Sequence, residues 1–100
     1  MPLVFSYGQL QRADVQERLF GRRFEARRDE LPGHARETVT IDGAQEANVR
    51  PHPTSSVAGV VLDITDDELA RADEYELPYG YKRIALRLAS GLTAWVYVHG

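Results

Sequence analysis

The chain has 100 residues, 43 % of them apolar and 27 % charged, with a net charge of −3 and no cysteine. That balance excludes wholesale disorder and low complexity, and a chain of this length buries one compact core, so residues 1–100 read as a single domain. The missing cysteines remove disulfides, thiolate metal sites and cysteine nucleophiles; with no export signal and no run of about 18 apolar residues, a cytoplasmic protein that does not span a membrane is expected.

Leu3 to Tyr7 is an apolar and aromatic run ended by Gly8, which reads as a buried strand leaving into a turn. Asp14 and Glu17 have the spacing of an N-cap and its reciprocal partner, so a short helix is predicted near 14–20, closed by Gly21. Between Arg22 and Leu31 arginines and acids alternate with Phe24 and Ala26, the pattern of a half-exposed edge strand.

Pro32-Gly33 marks a turn, and Thr38 to Ile41 is a β-favouring run closed by Asp42-Gly43. Residues 42–54 are polar and contain two prolines; a connection of that length suggests a loop, possible as a lid over a site. Val57 to Leu62 is apolar on both faces apart from Gly59 and is the best candidate for the core strand.

Thr65 and Glu68 form a capping box, which predicts a second helix over about 66–76, stopped by Pro78. Lys82 to Leu88 and Thr93 to Val98 alternate on either side of Ser90-Gly91, as in a β-hairpin. The fold class expected from this order is α+β: a small mixed β-barrel or partly closed sheet with two flanking helices.

Charge is distributed unevenly. Residues 12–28 carry six arginines against three acids, whereas residues 61–80 carry seven acids against one arginine. At this net charge no nucleic-acid partner is expected. His34, His52 and His99 lack ligand spacing, so no metal is expected, and Ser6, Ser55 and Ser56 lack a nucleophile-elbow setting.

Asp73, Glu74 and Glu76 close the second helix, where the dipole favours cations instead. A carboxylate held there among other acids, and shielded by Tyr75, Tyr79 and Tyr81, has its pKa pushed upward, as a general acid/base requires. Simple solvation of the three acids is the alternative. Gly8 after its strand leaves backbone N–H groups available to an anion, although many such glycines only turn the chain.

Tyr7-Gly8-Gln9-Leu10, Gly59 in a valine-rich strand, Asp73-Glu74-Tyr75-Glu76, Tyr81-Lys82-Arg83 and Ala94-Trp95-Val96-Tyr97 together resemble the gamma-glutamyl cyclotransferase-like family, in the family's order and over nearly the whole chain. The resemblance implies a β-barrel with flanking helices and a cofactor-free enzyme that releases 5-oxoproline from a γ-glutamyl amine or amino acid. It implies substrate binding by Tyr7, Gly8, Gln9, Leu10 and Tyr81, and catalysis by Glu76, with Glu74 its nearest competitor; Arg83 is read as structural. Gln9, in place of a small hydroxyl residue, and Leu77, in place of a glycine, depart from the family pattern. A non-catalytic small-metabolite binder of the same fold, or a protein-interaction module using the arginine-rich edge, remains the alternative.

Overall fold

Leu3–Ser6 is the central strand, β1, of a five-stranded sheet in the computed structural model, which describes residues 2–100. Four further strands follow: β2 (Arg27–Ile41), β3 (Ala44–Asp63), β4 (Tyr81–Arg87) and β5 (Thr93–His99), in the spatial order β2-β3-β1-β5-β4. Strand β1 is flanked on both sides, antiparallel to the end of β3 with Phe5 opposite Val61, and parallel to β5 with Phe5 opposite Val96. Val4 and Phe5 are both almost fully buried, which is why the run Leu3 to Tyr7 carries no charge.

Two sequence expectations give way here. Pro32-Gly33 is not a turn between strands but a bulge within β2, where the register shifts between Pro32 and His34. Residues 42–54 are not a loop: only Asp42 and Gly43 turn, with φ of 50° and 79°, and β2 and β3 then pair from Ile41 opposite Ala44 back to Arg27 opposite Val61. Two successive positive φ values give the hairpin turn whose twist suits antiparallel strands, and Asp-Gly is a favoured pair for it. Proline is tolerated because β2 is an edge strand, and because β3 meets β1 only at Val60 to Asp63, leaving the stretch with Pro51 and Pro53 open on its other side.

Helix α1 (Ala13–Phe20) starts one residue earlier than the sequence suggested, and Asp14 does not cap it. Arg12 occupies the N-cap position, and Asp14 in the first turn accepts two hydrogen bonds from its guanidinium, at 2.8 and 3.1 Å. Gly21, with φ of 74°, ends the helix as expected. Helix α2 (Asp66–Glu76) has the anticipated capping box: Glu68 N donates to Thr65 Oγ1 at 3.1 Å, and Thr65 N donates to Glu68 Oε1 at 2.9 Å.

Alternation along the strands divides the apolar side chains between two faces. Val4 and Leu62 join Val15, Phe20, Leu69 and Ala72 of the helices; Phe5, Val61 and Val96 join Leu31, Val49 and Val57 on the opposite face. Gly59 is where the backbone crosses closest, since a Cβ there would lie 2.4 Å from Ser6 O and 2.6 Å from Phe5 Cζ.

The sheet is a curled five-strand half-barrel, and side chains bridge the gap that the strands leave open. The amide of Asn48 on β3 accepts from His99 N at 2.9 Å and donates to His99 O at 3.4 Å, while Tyr81 donates its hydroxyl to Ala47 O at 2.6 Å. These bonds draw the β2–β3 ribbon over the end of the β4–β5 hairpin.

Candidate active site

A cavity of about 640 Å³ lies where the ribbon tip, the segment after β1 and the end of α2 converge. After β1 the chain passes through Tyr7 and Gly8 into a single 3-10 turn, Gln9–Gln11. The N–H groups of Gln9 and Leu10 open that turn and so have no carbonyl partner within it. Gly8 has φ of −130°, outside the left-handed region, and its N–H faces Ser6 Oγ at 3.4 Å.

Glu76 and Glu74 are separated by the geometry. Glu76 is half-buried and lines the cavity; Glu74 is exposed and does not. Burial, reinforced by the Glu46 carboxylate on β3, pushes the Glu76 carboxyl up to about 7. Among the described residues no cation is within ion-pair distance of Glu76. Its position is fixed one turn earlier: Asp73 accepts from Arg83 Nε at 2.9 Å and from the Tyr97 hydroxyl at 2.7 Å, which ties α2 to β4 and β5. The Arg83 guanidinium lies 4.3 Å over the Trp95 ring and does not line the cavity; its contact with the site is by way of Asp73.

The tyrosines form a neutral wall. Tyr7 donates to Tyr97 O at 2.5 Å, and burial is the main cause holding its hydroxyl above the usual tyrosine range. Tyr81 is pushed up to about 12, first by burial and then by Glu76 and Glu46. With both hydroxyls committed to main-chain carbonyls, Tyr7 and Tyr81 shape the cavity chiefly through their rings. Leu10, although it borders the cavity, is 3 % exposed and packs into the core under the helices.

Gln9 bridges the mouth. Its Nε2 donates to Glu46 Oε2 at 3.1 Å, and its Oε1 accepts from the Tyr75 hydroxyl at 2.5 Å, linking the ribbon tip to α2. Leu77, the other departure from the family pattern, is 57 % exposed and outside the cavity. Sequence reasoning missed Glu46 because it lay within the supposed loop, and missed Arg36, which also lines the cavity and donates from Nη1 to Tyr7 O. The flanking Asp42-Gly43 pair was the signal that would have placed both on paired strands.

A family model, gamma-glutamyl cyclotransferase, AIG2-like, matches residues 4–100. The chain belongs to that family. Solved structures share the fold: an Arabidopsis thaliana protein determined in solution is 27 % identical with a TM-score of 0.82, covering 98 % of this chain and 68 % of its own. A gamma-glutamyl cyclotransferase gives a TM-score of 0.82 at 18 % identity, with 98 % of this chain and 66 % of that one covered. An uncharacterized Pyrococcus horikoshii protein gives 0.72 at 17 %, covering 100 % and 79 %. This chain thus spans about two thirds of the length of the first two. Among curated proteins none matches.

Proposed function

We propose that the protein is a gamma-glutamyl cyclotransferase acting on a γ-glutamyl amine or amino acid, with Glu76 as general acid/base. The observation that carries this reading is a half-buried carboxylate, without an ion-pair partner among the described residues, whose proton is held up to about 7 inside a cavity bordered by bare backbone.

The reaction needs little beyond that. Glu76 takes a proton from the substrate α-ammonium, and the freed amine attacks the γ-amide carbonyl, forming the ring C–N bond. The ring nitrogen then sheds its second proton, and as the original amide C–N bond breaks the departing nitrogen takes up both protons by way of Glu76 and leaves as an ammonium ion, with 5-oxoproline as the other product. A base whose pKa lies near the working pH serves both steps. Because nucleophile and carbonyl share one molecule, the cavity's task is to hold the folded-back conformer and to offer donors to the developing oxyanion. The N–H groups of Gln9 and Leu10 are the donors proposed, and no cofactor enters.

A second reading, a metabolite-binding module of the same fold, is favoured by Gln9, whose carboxamide occupies the mouth by joining Glu46 to Tyr75. One experiment separates the two: purified protein is incubated with a panel of γ-glutamyl amines and amino acids, and released 5-oxoproline is measured for wild type, Glu76→Gln and Glu74→Gln. Release by wild type and Glu74→Gln, with none from Glu76→Gln, is expected. No release by wild type from any member of the panel sinks the catalytic reading.

A further inference from the structure

Arg36 stands in the cavity wall as a cation without an acid paired to it among the described residues. It lies on β2 opposite Val49, and the bond from its Nη1 to Tyr7 O holds the guanidinium beside the Tyr7–Gly8 peptide. That bond uses one of five N–H donors. Arg12, the other cation bordering the cavity, is committed to Asp14 by two hydrogen bonds.

Among the described residues no carboxylate is within ion-pair distance of Arg36, although Glu46 and Glu76 face the same space. Its neighbour Glu37 is engaged elsewhere, accepting from Asn48 Nδ2 at 2.7 Å and facing Arg50 at 3.9 Å. The cavity therefore holds separated charges: a fixed guanidinium beside the segment after β1, and two carboxylates that it does not neutralise. A ligand carrying an anion close to an amine complements that separation.

We propose that Arg36 is a specificity-determining residue that holds the α-carboxylate of the γ-glutamyl group. The inference rests on the cyclotransferase reading for the identity of the ligand. A guanidinium fixed at one N–H still presents others to a carboxylate, with charge-assisted strength. A carboxylate on the released amino acid shares the same chemistry, but it varies among substrates, whereas the α-carboxylate accompanies every γ-glutamyl group to the segment that Arg36 touches.

The test compares a γ-glutamyl alkylamine, whose sole carboxylate is the α one, with its α-carboxamide, in wild type, Arg36→Gln and Arg36→Lys. Arg36→Gln is expected to raise KM for the carboxylate roughly 10- to 100-fold, with kcat nearly unchanged and the carboxamide unaffected. Arg36→Lys recovers part of the loss. An equal rise for both substrates marks a structural role and overturns the proposal, as does an unchanged KM for the carboxylate.

Binding of 5-oxoproline against 5-oxoprolinamide, followed by titration calorimetry, gives a readout independent of turnover. A wild-type preference for the acid that disappears in Arg36→Gln supports the site, even where wild type releases no product and the catalytic reading has failed. A preference that persists in Arg36→Gln, or is absent from wild type, overturns it.

Discussion

The carboxamide of Asn48 pairs with both backbone groups of His99, accepting from N at 2.9 Å and donating to O at 3.4 Å. It does what a neighbouring strand would do, between segments that share no ladder, and Asn48 is only 4 % exposed. Replacing it by alanine leaves partly buried backbone groups without that partner, so Asn48→Ala should lose about 1–2 kcal/mol in urea denaturation. Wild-type stability for Asn48→Ala would show that this bridge contributes nothing to the closure.

Gly59 admits no side chain. Gly59→Ala drives a methyl into Ser6 O and the Phe5 ring, and at least the first is backbone that cannot swing aside. The expected cost is roughly 3 kcal/mol, read as a fall in the denaturation midpoint with an unchanged m-value.

Glu76 links pH to stability and, under the proposed function, to activity. Its folded pKa, about 7, lies above the unfolded 4.5, so the folded protein binds more protons between these values. Stability therefore falls as pH rises through this window. Glu76→Gln should be more stable than wild type at pH 8, on the order of 2 kcal/mol once solvent at the mouth is allowed for, and similar to it at pH 4. A stability difference independent of pH would contradict this. Under the proposed cyclotransferase reaction, kcat/KM should rise with pH to a midpoint near 7, and Glu46→Gln, by removing the like charge, should lower that midpoint.

Glu68 behaves in the opposite sense. Two bonds of 2.8 Å from Arg22, together with the bond from Thr65 N, hold its carboxyl down to about 2 against an unfolded 4.5. This stabilisation is complete above 4.5 and is lost as pH falls toward 2. Arg22→Met should lower stability at pH 7, though modestly, because only the Glu68 side of the pair is well buried. Thermal denaturation at pH 7 and pH 2 checks this, since the two proteins should converge at the lower pH.

Local chemistry was legible in the sequence wherever a short motif decides the structure. The Thr65–Glu68 box, the turn at Ser90-Gly91 and the apolar run through Phe5 each report their own surroundings. Pro32, Pro51 and Pro53 misled because proline breaks a strand only where its missing N–H has a partner to lose, and here edges and a bulge spare it. Taken as a loop, residues 42–54 also concealed Glu46; the Asp42-Gly43 turn marks its strand, but the approach of that hairpin tip to Glu76 across the cavity is recorded in no local pattern. The resemblance named Glu76, yet its separation from Glu74 rests on how Asp73 fastens the helix to two strands.

The ribbon tip has one further consequence. Asp42 to Ala47 forms part of the cavity wall, while the bridge to His99 is made behind it, at Asn48. Changes of length at the turn can therefore redraw the entrance without loosening the closure beneath it. Side-chain alternation makes such changes discrete. Each residue pair added at the turn faces opposite to the pair before it, while the pairs beneath keep their faces. Diversification of what enters would then proceed through hairpin length before any change to the carboxylate within.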